Sequence, residues 1–355
     1  MAIHRIVQGG FVRLLGIWVF LLAWEAPLLA ARMEILRFDS RLLRNNPLHD
    51  PTVRSVAVFL PAQAAAGVRL PIIYYLPGYG GSPDQFISRS NLWLDFTQSL
   101  AERLTPMVLV VVDGRTRWGC GQYLNSPAQG NYEDYICDEI VSAVEAKYPA
   151  PTNGVRRIIA GHSSGGFGAL RLGGSRHTLF DAIIALSPDS DFPVSHLRLV
   201  QIAAVSNAPL SEIERMEAGA LPPPRDGDLQ YAIGLSAAYA PQRDPPNGQF
   251  DWLYTRDGRF REEIWRRWLD NDPLTIVRSN RHAFEFSQAI YLDGAAQDEY
   301  LANLGARAIF EALRADADVA RCEFYEPPGH HGDHLRERLL RGAAWVFGKP
   351  MQDVR

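Results

Sequence analysis

At 355 residues, with 47% hydrophobic and 21% charged residues, the chain has the make-up of an ordinary folded protein, which excludes disordered, collagen-like and multi-span membrane architectures. A formal net charge of -4 with no long basic run, and no zinc-finger or RNA-binding signature, leaves out the electrostatic footprint that a nucleic-acid partner requires. The three cysteines, Cys120, Cys137 and Cys322, include no CxxC pair, so structural zinc is not expected.

The first residues differ from the rest. Arg5 and Arg13 precede an apolar run from Leu14 to Trp24, Glu25 closes it, and Ala30-Ala31 follow. That is the plan of a secretory signal peptide over residues 1–31, and the run is shorter than the ~20 residues of a spanning helix. Leu29 departs from the small-residue cleavage pattern, so an uncleaved membrane tether stays open. The expectation is a protein exported to the periplasm or beyond, a compartment in which a Cys120–Cys137 disulfide is also open.

Residues 32–355 read as one α/β catalytic domain. Short apolar runs predict strands over Met33–Phe38, Ser55–Leu60, Ile72–Leu76, Met107–Val112, Arg157–Ala160, Ala182–Leu186, Ala289–Leu292 and Arg321–Glu326. Helical spacing marks Asn131–Tyr148, a helix from Phe167 onward, Tyr300–Arg314 and Asp333–Phe347. Strands alternating with helices imply a mostly parallel central sheet covered on both faces. Between about 191 and 284 the rhythm breaks into Pro222-Pro223-Pro224, Pro245-Pro246 and an aromatic-rich helical stretch, Phe260–Leu269. This reads as a lid-like insertion over the crevice at the carboxyl ends of the strands, with Trp265 and Trp268 expected to select among acyl chains. A packed side unit without substrate contact is the alternative.

The chemistry starts at Gly161-His162-Ser163-Ser164-Gly165, a GxSxG sequence between a strand and a helix. Serine at that turn needs a strained backbone, and the flanking glycines let strand and helix close in around it, projecting the hydroxyl into the crevice. Ser163 is therefore the candidate nucleophile. It needs a base and a carboxylate, arriving in the order Ser, Asp or Glu, His. Asp298 follows the strand ending near Asp293 and is the favoured carboxylate, with Asp293 and Glu299 as rivals. His330, in Pro327-Pro328-Gly329-His330-His331-Gly332-Asp333-His334, is the favoured base, with His331 and His334 left as supporting or inert positions. This histidine cluster lacks HExxH spacing, so no metal is expected, and no cofactor motif occurs. The loop Leu76-Pro77-Gly78-Tyr79-Gly80-Gly81 suggests that the N–H groups of Tyr79 and Ser164 form an oxyanion hole.

Together with Asn125-Ser126-Pro127 and Gly294–Leu301, these segments resemble the Putative esterase family, which includes esterase D, feruloyl esterases, enterochelin esterase relatives and the antigen 85 mycolyltransferases. The resemblance covers most of the chain after about residue 33, apart from the insertion. It implies an α/β-hydrolase fold, acyl hydrolysis or transfer on a small-molecule, glycan or lipid ester, no cofactor, and the triad Ser163, Asp298, His330. Pro77 departs from the family, where His is frequent before the oxyanion glycine. A serine carboxylesterase is the leading expectation. A mycolyltransferase-like acyltransferase and a catalytically inactive binding protein of the same fold are the alternatives.

Overall fold

The computed structural model describes residues 30–197, 200, 227–242, 249–255, 257–285, 287–315 and 321–349. All but the last two residues of the leader read over 1–31 lie outside them. Among the described residues no helix is long and apolar enough to cross a membrane.

The chain opens with β1 (Arg32–Asp39), β2 (Val53–Leu60) and β3 (Ile72–Leu76), then α1 (Pro83–Ile87), α2 (Ser90–Arg103) and β4 (Val108–Val111). A two-residue ladder, β5 (Asn125–Ser126) with β6 (Gly130–Asn131), leads into α3 (Tyr132–Asp134), which winds through a wider π turn into α4 (Val141–Lys147). Next come β7 (Arg157–His162), α5 (Ser164–Ser175) and β8 (Ala182–Leu186). The described part of the following segment holds α6 (Phe192–Ser195), α7 (Gly227–Tyr239), α8 (Glu262–Leu269) and α9 (Pro273–Ser279). The chain then returns through β9 (Ala289–Asp293), α10 (Ala302–Arg314), β10 (Cys322–Tyr325) and α11 (Leu335–Val346).

Eight strands form one sheet in the order β1-β2-β4-β3-β7-β8-β9-β10. The β1–β2 and β2–β4 pairs are antiparallel and all others are parallel. Every strand expected from the sequence is present. Strands β3, β4, β8 and β9 are buried along their whole length, as strands made almost wholly of Val, Ile, Leu, Ala and Tyr require when both faces are covered. One face packs Leu100 of α2 and Leu339 of α11, and the other packs Val144 of α4, Leu170 of α5 and Ile309 of α10. The crossovers bring the ends of β3, β7, β8 and β9 to one edge, where the candidate residues gather.

The segment between β8 and β9 has its own apolar cluster. Phe192, Tyr239, Trp252, Trp265 and Trp268 pack there against Trp118 of the loop between β4 and β5 and Phe167 of α5. Trp265 and Trp268 are 7% and 0% exposed, so they hold this cluster together rather than face a substrate, contrary to the expectation above. The three cysteines are free thiols, two of them buried, and no Cys120–Cys137 disulfide forms. Burial pushes the Cys120 thiol up to about 12, consistent with an inert core residue.

Candidate active site

Ser163 sits at the junction of β7 and α5 with φ 58 and ψ -122, a conformation that L-residues avoid unless their surroundings enforce it. Here the surroundings do. Its N–H donates to the Leu186 carbonyl at 3.0 Å, and its own carbonyl accepts from Phe167 at 2.9 Å in the first turn of α5. A Cβ at position 161 would lie 2.1 Å from the Gly165 carbonyl oxygen, and one at 165 would lie 1.8 Å from that of Leu76. Both glycines of GxSxG are thus demanded by the close approach of strand and helix, and together they raise Ser163 into the crevice.

Asp298 accepts from Nδ1–H of His331 at 2.7 Å, and both side chains are buried. A carboxylate here fixes the tautomer: the proton stays on Nδ1 and the lone pair on Nε2. That Nε2 is buried, has no hydrogen-bond partner, and belongs to a ring lining the same cavity as Ser163. The His331 carbonyl accepts from Nε2–H of His162 at 2.9 Å and from Arg338 at 3.0 Å, while its N–H donates to Glu299 at 3.1 Å. Burial, with the neighbouring His331 and Arg338, holds His162 well below the ordinary histidine value, so it stays neutral as a donor. Burial acts most strongly on the Asp298 carboxyl, to raise it, but the bond and charge attraction of His331, together with hydrogen bonds from Ser187 and the Tyr300 N–H, outweigh it and leave the carboxyl below the usual range.

His330 is not in this arrangement. Its side chain is 68% exposed and stands 3.7 Å from Glu299, and its N–H caps back onto Asp333 at 2.8 Å. The turn at Gly329, with φ 109, sends His330 outward and the next residue inward. The partner of Asp298 is thus His331 and not His330, the base expected from the sequence, and His334 is exposed at the start of α11. Of the carboxylate rivals, Asp293 is committed to Arg338 at 2.6 Å, and Glu299 braces the His331 backbone.

The cavity has a volume of about 410 Å³. The Pro77–Gly81 loop lies against the serine: a Cβ on Gly78 would be 3.3 Å from that of Ser163, and Tyr79 lines the cavity. Ser164 opens α5 and is fully buried, so its N–H belongs to the positive end of that helix. Asp189, unmarked by any motif, lies at the cavity wall. It accepts from Ser163 at 3.3 Å, from Ser164 at 2.7 Å and from Tyr231 of α7 at 3.0 Å. Its nearest signal was the turn Ser187-Pro188-Asp189 after β8, which points at the same sheet edge. A second cavity of about 420 Å³, beside Arg171 at the far end of α5, contains neither Ser163 nor His331.

A mostly parallel sheet with a serine on a strand-to-helix elbow defines the α/β-hydrolase fold. Solved structures of that fold superimpose on the chain. A ferulic acid esterase matches with TM-score 0.60 and 18% identity, covering 90% of this chain and 99% of that one. An S-formylglutathione hydrolase from Agrobacterium tumefaciens matches with TM-score 0.55 and 16% identity, covering 90% and 96%. The chain belongs to the Putative esterase family, whose model matches residues 51–300. That stretch contains Ser163 and Asp298 and ends before His331. Mouse (Mus musculus) S-formylglutathione hydrolase is 32% identical over 133 residues, 32% of this chain and 44% of that protein, so the match spans less than half of that relative.

Proposed function

We propose that the chain is a serine carboxylesterase, with Ser163 as nucleophile, His331 as general base and Asp298 orienting it. The observation that carries this reading is the 2.7 Å Asp298–His331 bond, which leaves a buried, unpartnered Nε2 on the cavity of Ser163. The Ser163 Oγ attacks the ester carbonyl carbon and its proton passes to His331 Nε2. The oxyanion is received by the N–H groups of Tyr79 and Ser164. Collapse breaks the ester C–O bond, and the leaving alkoxide takes the proton from His331. Water then attacks the acyl-enzyme, giving its proton to His331, and the acid departs as Ser163 is restored.

The segment over about 191–284 acts in this reading as a lid on the catalytic domain, contributing His196, Asp228 and Tyr231 to the cavity wall. Export completes the proposal. A mature protein beginning near Ala31 or Arg32 would retain all of β1, which starts at Arg32. The test of the chemistry is turnover of p-nitrophenyl acetate. The wild-type protein should show a burst of p-nitrophenol equal to the enzyme concentration, and Ser163→Ala should show none. Undiminished turnover by Ser163→Ala would overturn the assignment.

A further inference from the structure

Helix α11 is seated closely on the sheet. A Cβ at Gly342 would lie 2.8 Å from the Ile184 side chain of β8 and 3.0 Å from that of Tyr291 of β9. Arg338 stands one turn earlier on the same face, which brings it to the edge where β8 and β9 end. Its side chain is 2% exposed. A guanidinium offers five N–H donors in a rigid plane, and here all five are used. Nε and Nη2 each donate to Asp293, at 2.9 and 2.6 Å, and the second Nη2–H donates to Ser187 Oγ at 2.8 Å. Nη1 donates to the carbonyls of His331 at 3.0 Å and Asp333 at 3.2 Å.

These acceptors stand at the carboxyl ends of three strands. Ser187 follows β8, Asp293 ends β9, and His331 and Asp333 follow β10, so one side chain ties together the loops that carry the carboxylate and the base. Ser187 is held in turn. Its N–H donates to the Asp293 carbonyl at 2.9 Å, and with its oxygen accepting from Arg338 its own hydroxyl donates to Asp298. Stability alone does not account for the Asp293–Arg338 pair: two buried charges give up hydration that their attraction barely returns, and an apolar pair of similar volume is commonly as stable. Apolar side chains cannot fix the direction of a carbonyl and a carboxylate, whereas a fully satisfied polar network does.

Building on the esterase reading, we infer that Arg338 is a positioning residue: through Ser187, Asp293 and the His331 carbonyl it sets the angle at which the Asp298–His331 pair faces Ser163. Arg338, Asp293 and Ser187 do not line the Ser163 cavity, so the effect falls on the rate and not on substrate affinity. The test combines Arg338→Met with Asp293→Leu in one protein, which leaves no buried charge alone, and adds Arg338→Lys, which keeps the charge and loses the fork. Three quantities are read: the folded fraction from urea unfolding, kcat and KM on p-nitrophenyl acetate, and the downfield proton resonance of the His331 Nδ1–H, assigned by its loss in His331→Ala. Both variants should unfold cooperatively and lose about 10- to 100-fold in kcat per folded molecule, with KM changed less than about 3-fold. The resonance should move upfield or broaden away. An unchanged resonance, or a kcat per folded molecule within about 3-fold of wild type, would overturn the inference. If the double variant does not fold, the same two readings on Arg338→Lys decide. A wild-type protein that shows the resonance and loses it in the variants, yet turns over no ester, faults the esterase reading alone.

Discussion

Two adjacent histidines show what a residue's surroundings add to its identity. His330 and His331 occupy the same loop, follow the same strand and are chemically the same, yet one is exposed and the other is buried against Asp298. The difference is made by the positive φ of Gly329, the Asp333 cap on the His330 N–H, and the two donors that hold the His331 carbonyl. None of these has a sequence period, so loop chemistry alone identified the pair and not the member. Ser163 was legible because its requirement is steric and local: two glycines, a strand before and a helix after. Asp189 was illegible because no motif in its neighbours marks a carboxylate that accepts from the Ser163 hydroxyl. The expected outcome for the pair is asymmetric. His331→Ala should lower kcat on p-nitrophenyl acetate by about 10⁴ or more, and His330→Ala by less than about 3-fold, as for a base against a bystander. Equal losses would return the base assignment to the loop as a whole.

At the scale of elements, the strands and the elbow were readable and the segment over 191–284 was not. Its helix α8 was foreseen over Phe260–Leu269, but α7 lies in a stretch with no clear stripe, since it is buried nearly all round from Leu229 to Tyr239. Its aromatics were misread for a related reason: Trp is as suited to a small core as to a ligand wall, and only packing distinguishes the two. The anchor of this segment is Asp272, whose Oδ1 accepts from Asp191 at 2.9 Å and Leu274 at 3.2 Å while Oδ2 accepts from Thr275 at 3.1 Å. Burial raises its carboxyl from 3.8 to about 6, against the backbone bonds that act to lower it. A folded value above the unfolded one means that its stabilisation is complete below about pH 3.8 and is lost as pH rises through about 6. Asparagine accepts the same two backbone bonds and does not ionise. Asp272→Asn should therefore gain stability relative to wild type between pH 5 and pH 8, by on the order of 1–3 kcal/mol, measured by urea denaturation at both pH values. A difference that does not change with pH would contradict the assignment of the raised value.

At the scale of the whole molecule, the sheet explains why residues far apart in sequence meet. Parallel strands joined by crossovers bring their carboxyl ends to one edge, so the loops after β3, β7, β8, β9 and β10 supply Tyr79, Ser163, Asp189, Asp298 and His331 in chain order. The fold class was accordingly the most legible feature, because alternating apolar strands and amphipathic helices admit few other arrangements. The remaining depth of the site, its acidic and aromatic wall, depends on how α7 lies over that edge. The central claim is that this edge activates one serine through one histidine. It is tested most directly by labelling the protein with a fluorophosphonate, which reacts with activated serines, and mapping the adduct by peptide mass spectrometry. The account predicts a single adduct on Ser163, lost in Ser163→Ala, nearly lost in His331→Ala and retained in His330→Ala. An adduct on another residue, or undiminished labelling of His331→Ala, would contradict it.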